Sequence, residues 1–230
     1  ETALEGRQGY AAAFGASHPL DAALDALGHR WQLLASGIAV KPYPSCALTH
    51  AAIDALIELR AAHALQPGQI AAIEVGVNRV VPDVLAHTKP GTALERKFSM
   101  QFCAAAAAAE GRVDLASFED GEVRSPAVRD LMGRVTMVVD PSLPDGLEQH
   151  AWSRVTLRLA DGRTLASPPR GAQGHPDTPL SAEALRAKFL ACATRVLAPD
   201  EALGVAEQLE HLEDIPDLRA LTSRLAGDLD

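Results

Sequence analysis

The stretch Lys41-Pro-Tyr-Pro-Ser-Cys-Ala-Leu-Thr-His-Ala-Ala-Ile-Asp-Ala-Leu56 marks a change of structure within this chain of 230 residues. Each proline forces the residue before it out of the helical region, so no helix can run through Pro42 or Pro44. Behind the second proline, leucine and alanine side chains keep one apolar face and predict a helix from Ser45, near the N-cap, to about Ala64. We therefore expect a domain boundary near Val40.

Strand and helix patterns alternate in the residues that follow this helix. A β-branched run predicts a strand over residues 69–81, and aromatic residues four positions apart predict a helix over residues 94–109. Three further strands are predicted at residues 134–140, 153–159 and 163–167, and a turn at Asp161-Gly162 joins the last two. The middle of the chain is therefore predicted to be α+β.

Both ends of the chain carry helical patterns. Upstream, apolar residues three and four positions apart predict a helix that stops at Gly28, followed by extended segments at residues 31–34 and 38–40. Downstream, a helical stripe returns from Ser181, after a Pro- and Gly-rich crossing over residues 168–179. This order indicates that the terminal segments belong together and that the middle forms a separate lobe.

The composition is that of a folded chain that does not bind polyanions. Hydrophobic residues make up 47% and charged residues 22%, which argues against disorder. Only 4% of residues are aromatic while alanine is abundant, which favours close helix packing over a β-sandwich. The net charge of −9, without any run of Lys or Arg, opposes nucleic-acid binding. No apolar run reaches the roughly 20 residues of a membrane span, so no membrane association is expected.

Cysteine usage and missing motifs limit the cofactors and the cellular compartment that can be expected. The three cysteines, Cys46, Cys103 and Cys192, are widely spaced, which argues against a disulfide framework or a structural zinc site and leads us to expect a cytoplasmic protein. Glycine-rich phosphate loops are absent, so neither a nicotinamide nor an ATP cofactor is expected. The chain starts at Glu1 rather than Met, and we expect a region to precede it. Residues 170–174 are expected to form a flexible basic loop.

Reactive side chains are concentrated where the first predicted helix begins. Helix N-termini attract anions, and Lys41 would reinforce that attraction for a carboxylate. Cys46, His50 and Asp54 are four residues apart, so they share one face if the helix begins by Ser45, with Asp54 able to orient the imidazole. The alternative is that Cys46 fills buried space, His50 is an ordinary satisfied histidine and Lys41 is solvated. The spacing alone does not decide between these two interpretations. Cys46, His50 and Asp54 are too few ligands for a closed zinc site.

Four segments of the chain are informative when taken together: Leu4-Glu-Gly-Arg-Gln-Gly-Tyr10 with Phe14, Lys41–Cys46 with Thr49–Asp54, Lys97–Phe102, and Pro179–Ser181 with Lys188-Phe189. In order and spacing they resemble the MmgE/PrpD family over nearly the whole chain. Family members include 2-methylcitrate dehydratase, cis-aconitate decarboxylase and an iminodisuccinate epimerase. The resemblance implies proton movement next to a carboxylate of a small polycarboxylate, without a metal or an organic cofactor.

The resemblance also implies an α+β fold in which a lid domain is flanked by segments of an all-helical domain. Residues 1–40 would close the first helical segment, residues 41–175 would form the lid, and residues 176–230 would be the returning helices. The N-terminal part of the family's helical domain has no counterpart in this sequence. A non-catalytic dimerisation or interaction module is therefore the alternative to an enzyme.

Two residues match catalytic positions of the family. Lys41 matches a cleft lysine at the start of the lid, which implies that it holds a substrate carboxylate or stabilises the enolate-like charge formed by proton abstraction. His50 matches a histidine of the same motif. We expect a lyase similar to 2-methylcitrate dehydratase, with epimerisation of an iminodicarboxylate as the alternative.

Four further residues are expected to contact substrate. Cys46 stands where some relatives carry another histidine, and a thiol differs from imidazole in pKa and reach. Phe102 stands where some relatives carry a substrate-facing tyrosine, with Ser99 and Gln101 beside it on one helix. The resemblance further implies no metal, no cofactor and a homodimer.

Overall fold

The computed structural model describes Ala3, Gly9 and residues 27–29, 31–144 and 151–226. The α-helices in these ranges are α1 (Gln32–Ser36), α2 (His50–Ala62), α3 (Val81–Val84), α4 (Ala93–Lys97), α5 (Met100–Glu110), α6 (Pro126–Met132), α7 (Ala182–Ala193), α8 (Pro199–Glu210) and α9 (Leu218–Ala226). The strands are β1 (Ile70–Val77), β2 (Val135–Val139), β3 (Ser153–Leu159) and β4 (Thr164–Ala166). The predicted α+β class is confirmed.

The chain divides into two compact units, Glu1–Ile38 and Ala39–Asp230. In the first unit, the prediction of an extended segment at residues 31–34 is wrong, because α1 covers most of it. The leucines and alanine of this short segment are good helix formers, and Gly37 ends it at φ 69°. The helix predicted before Gly28 lies outside the described residues, as does nearly all of the Leu4–Phe14 segment.

A four-stranded sheet forms the centre of the second unit, in the order β2-β1-β3-β4. β1 pairs in parallel with β2, with Ile73 opposite Val135, whereas β1–β3 and β3–β4 are antiparallel. The parallel pair requires a long crossover, which α3 to α6 supply. The predicted strands at residues 134–140, 153–159 and 163–167 are confirmed, and the first predicted strand is confirmed with its end moved back to Val77.

Helices α2 and α5 cover the sheet, with α2 against β3 and α5 against β2. Every residue of α5 from Met100 to Ala109 is buried, because its alanines allow the backbones of α2 and α6 to approach closely. The single helix predicted over residues 94–109 is two helices. Ser99 separates them, because its hydroxyl accepts a hydrogen bond from the Phe102 N–H at 3.2 Å and starts α5.

The helix predicted to begin at Ser45 begins later. A 3-10 turn occupies Ala47–Thr49, and α2 follows from His50. Side chains hold this turn, because the Ser45 and Thr49 hydroxyls lie 2.8 Å apart and Thr49 Oγ1 also donates to the Cys46 carbonyl at 2.8 Å. The late start moves Cys46 out of α2.

The last three helices form a small core of their own. Leu197, Val205 and Leu221 are its largest buried members, with Phe189 and Leu190 packed against them. The helical stripe predicted from Ser181 is therefore confirmed, and Ser181 itself caps α7. Within the described ranges, no helix combines the length and hydrophobicity that crossing a membrane requires.

Candidate active site

A cavity of about 300 Å³ lies between the segment that leads into α2 and the loop that precedes α7. Lys41 and His50 line it, so the structure brings the two predicted catalytic residues together. Most of the other lining side chains are small or apolar. They are Ala39, Val40, Ala47, Leu48, Ala151, Ala172, Gln173, Gly174 and His175.

The Ser45 carbonyl oxygen joins the two predicted catalytic side chains. Lys41 Nζ donates to this oxygen at 3.4 Å, and His50 Nε2 lies 3.3 Å from the same atom. A carbonyl can only accept, so a hydrogen bond at this contact requires the proton on Nε2, which leaves the lone pair of the neutral ring on Nδ1. An ammonium group and an imidazole are therefore placed side by side.

His50 is held as the neutral imidazole. Its side chain is 2% exposed, and burial lowers its pKa to about 4, with the positive charge of Lys41 acting in the same direction. Hydrogen bonds to the backbone of Ser45 and Tyr43 oppose this effect only in part. At neutral pH the ring can accept a proton, whereas Lys41 supplies the positive charge.

Tyr43 links Asp54 to the His50 imidazole. Among the described residues, Asp54 makes no direct hydrogen bond to that ring. The Tyr43 hydroxyl donates to Asp54 Oδ1 at 2.7 Å, and the Gln173 N–H donates to Oδ2 at 3.0 Å. The Tyr43 ring meets the His50 ring edge to face, with centroids 5.3 Å apart. Burial, and then the Asp54 charge, raise the pKa of Tyr43, so the phenol stays protonated and donates.

The loop predicted to be flexible and basic at residues 170–174 is fastened at several points. Arg170 forms an ion pair with Glu58 of α2, and its backbone pairs with Ser153. Val40 N–H donates to the Gly174 carbonyl at 2.7 Å. The loop is therefore a wall of the cavity, and its basic side chain is neutralised.

The four residues expected to contact substrate do not line this cavity. Cys46 is half-buried beside it, and its N–H donates to the Lys97 carbonyl at 2.9 Å. Phe102 is buried against Phe118, with ring centroids 5.4 Å apart, and Ser99 caps α5. Gln101 borders a different cavity beside β2. Their contact with substrate stays a prediction.

Sequence reasoning missed the Ala172–His175 wall and the part played by Tyr43. The glycines and prolines around residue 174 predicted a turn, but no neighbouring residue indicated that this turn would contact Val40. The tyrosine between Pro42 and Pro44 was a stronger signal, because an aromatic residue in an extended segment next to a helix start commonly packs on that helix.

In the part of the chain that the structure describes, no group of three or more His, Cys, Asp or Glu residues is arranged to hold a metal ion.

Comparison with known proteins identifies the family of the chain. A model of the MmgE/PrpD C-terminal domain matches residues 43–214, most of the chain. The chain belongs to the MmgE/PrpD family. It is similar to the cis-aconitate decarboxylase of Mus musculus, 30% identical over 204 residues, and to that of Homo sapiens, 29% identical over 210 residues. Each match covers 86% of this chain but only 41% and 42% of the respective relatives, so the chain spans less than half of their length.

Proposed function

We propose that this MmgE/PrpD chain is part of a lyase that moves a proton at a carbon next to a carboxylate of a small polycarboxylate. The observation that carries the proposal is the placement of Lys41 and His50 on one cavity around the Ser45 carbonyl. Membership of the family and similarity to two cis-aconitate decarboxylases support it.

Each of the two residues has a distinct role in this proposal. Lys41 binds a substrate carboxylate and stabilises the negative charge that spreads onto it when the neighbouring carbon loses its proton. His50, neutral because of its burial, accepts that proton. The apolar lining strengthens the stabilisation by Lys41, because electrostatic interactions are larger in surroundings of low dielectric constant.

The neutral imidazole can perform the first step of dehydration, the reaction expected from the sequence, with 2-methylcitrate as the first candidate substrate. His50 would take the proton from the carbon next to the carboxylate, and the hydroxyl on the adjacent carbon would leave as water with the proton that the His50 imidazolium gives back. The two carbons would then share the new double bond. Epimerisation of an iminodicarboxylate would use the same first step, followed by return of the proton to the opposite face.

The two named relatives favour decarboxylation as the second candidate reaction. In cis-aconitate, the electrons of the bond to the departing carbon dioxide would form a new double bond, and the old double bond would take up a proton. Lys41 would bind a remaining carboxylate in this reaction as well. Here the proton moves to carbon rather than away from it, so a protonated group must supply it.

We also propose a cytoplasmic homodimer. All three cysteines are free, which fits a reducing compartment. Because the chain spans less than half of its relatives' length, further residues of the full-length protein are expected to complete the cavity. A non-catalytic dimerisation module is the alternative outcome.

A product assay on the full-length natural protein tests the proposal. The protein would be given 2-methylcitrate, citrate, cis-aconitate and iminodisuccinate, and products would be followed by NMR. We expect one acid to be converted, and Lys41→Ala to reduce turnover at least about a hundredfold, whereas Arg163→Ala, which removes an exposed positive charge from the turn between β3 and β4, leaves it unchanged. Turnover that survives Lys41→Ala, or no turnover of any acid, would contradict it.

A further inference from the structure

We infer that Asp54 is a positioning residue, which ties both walls of the cavity to α2 and thereby holds His50 and Lys41 in place. The inference deepens the proposed function and rests on it only for its effect on turnover. The inference is based on the two carboxylate oxygens of Asp54, each of which accepts a hydrogen bond from a different wall of the cavity.

The first wall is the segment that carries Lys41 and Tyr43. Tyr43 is anchored to Asp54 Oδ1 through its hydroxyl at 2.7 Å, and its ring packs edge to face on His50. A hydrogen bond to a carboxylate is among the stronger ones in proteins, so it restricts where the ring can lie. The position of the His50 ring therefore depends on Asp54 through Tyr43.

The second wall is the loop of residues 172–175. Its Gln173 N–H donates to Asp54 Oδ2 at 3.0 Å, and the next residue, Gly174, accepts from Val40 N–H at 2.7 Å. This places the loop directly against the segment before Lys41. The two walls are thus bonded to each other and, through Asp54, to α2.

Burial makes this anchor rigid. Asp54 is only 4% exposed, and a buried carboxylate is tolerated only when its oxygens accept hydrogen bonds. The phenol of Tyr43 remains protonated, as its raised pKa requires, so its donation to Asp54 persists across the physiological pH range. Breaking either contact would leave a buried oxygen without a donor.

A second acidic residue of α2 also holds the loop, and it provides a matched control for substitutions of Asp54. Glu58, one turn further along α2, pairs with Arg170 at the start of the same loop. Its side chain is exposed and it does not line the cavity. Glu58→Ala therefore removes a carboxylate contact from α2 to the loop but keeps both hydrogen bonds to Asp54, and it acts on Tyr43 only through the smaller effect of its charge.

The test measures both the titration of His50 and turnover in the full-length protein. NMR of labelled histidine would follow the His50 signal, assigned by its loss in His50→Gln. The titratable groups that face His50 are Lys41 and His175 on the cavity wall and Tyr43 on its ring. Asp54→Ala should let water reach the imidazole and raise its pKa from about 4 toward 6.5, while lowering kcat about tenfold or more.

Tyr43→Phe keeps the aromatic ring and removes only the hydroxyl, so it carries the test if Asp54→Ala does not fold. It should shift the His50 pKa in the same direction, whereas Glu58→Ala should leave it unchanged. An unchanged His50 pKa in either folded variant overturns the inference, as does an equal shift in Glu58→Ala. Because the titration needs no substrate, it can succeed even when Lys41→Ala shows the proposed function to be wrong.

Discussion

At the scale of single residues, the Ser45 carbonyl sets the chemistry of the cavity. It accepts from Lys41 and contacts His50 Nε2, so one backbone oxygen orients both side chains. Burial keeps the His50 imidazole neutral by lowering its pKa, and the positive charge of Lys41 acts in the same direction. The pair therefore combines a fixed positive charge with a base, which proton abstraction next to a carboxylate requires.

The lowered pKa of His50 predicts how stability depends on pH. The pKa falls from 6.5 to about 4 on folding, so the unfolded chain binds more protons between these values. The free energy of unfolding should therefore be unaffected by this group above pH 6.5 and decrease as the pH falls towards 4, by up to about 3 kcal/mol. Urea unfolding measured at a series of pH values checks this.

Two variants separate the contribution of His50 from that of other groups. His50→Gln should flatten the decrease between pH 6.5 and 4, because it removes the titrating group. His63→Gln is the matched control, because it makes the same substitution at an exposed histidine just after α2 that does not line the cavity. An identical pH dependence in wild type and His50→Gln would show that His50 is not buried as a neutral ring.

At the scale of elements, the loop that precedes α7 closes the cavity only because residue 174 is glycine. Gly174 has φ +84°, and a Cβ at this position would lie 2.0 Å from the Val40 carbonyl oxygen. No side chain fits there without a shift of one of the two backbones. The close approach and the backbone conformation both demand glycine.

Gly174→Ala should therefore destabilise the protein and open the cavity. Gly162→Ala is the matched control, because Gly162 also has a positive φ, +88°, but has open space where its Cβ would lie. Both variants should lose about 1 kcal/mol from backbone strain, and only Gly174→Ala should lose more, together with ligand binding. Equal melting temperatures for the two variants would mean that the two walls are not in contact as described.

Helix α5 packs with alanines where larger side chains would not fit. Ala105 is fully buried between neighbouring helices, so Ala105→Leu should overpack the core and cost about 1–3 kcal/mol. Ala187→Leu, at an exposed position of α7, should change stability by less than about 0.5 kcal/mol. Chemical denaturation of the two variants measures the difference, and a small effect at Ala105 would contradict the packing of α5.

Elements with a clear repeat were predictable from the sequence, whereas their ends and partners were not. Alternating β-branched residues predicted β1 to within a few residues. Hydrogen bonds of the Ser45 and Thr49 hydroxyls, however, make α2 begin only at His50, and the Ser99 hydroxyl divides the predicted helix over residues 94–109 into two. The placement of Lys41 and His50 at one site followed from their shared motif. The opposite wall could not be predicted, because the contact of Gln173 with Asp54 joins residues far apart in the chain.

At the scale of the whole molecule, the second unit contains two separate hydrophobic cores. The larger one joins the sheet with α2, α5 and α6, and the smaller one joins α7, α8 and α9. Several large apolar side chains of the last three helices remain exposed, among them Leu185, Leu203 and Leu218. These exposed residues fit the expectation that the terminal helices pack on further protein, in the rest of the chain or in a second copy.

The central claim is that the Lys41 and His50 cavity binds a small polycarboxylate, and calorimetry tests it most directly. Citrate, 2-methylcitrate, cis-aconitate and iminodisuccinate would be titrated into the full-length protein and into its Lys41→Ala and Arg163→Ala variants. We predict that at least one acid binds, that Lys41→Ala weakens this binding at least about tenfold through the loss of a charge-assisted contact, and that Arg163→Ala does not. Equal affinity in wild type and Lys41→Ala, or no binding of any acid, would contradict the claim.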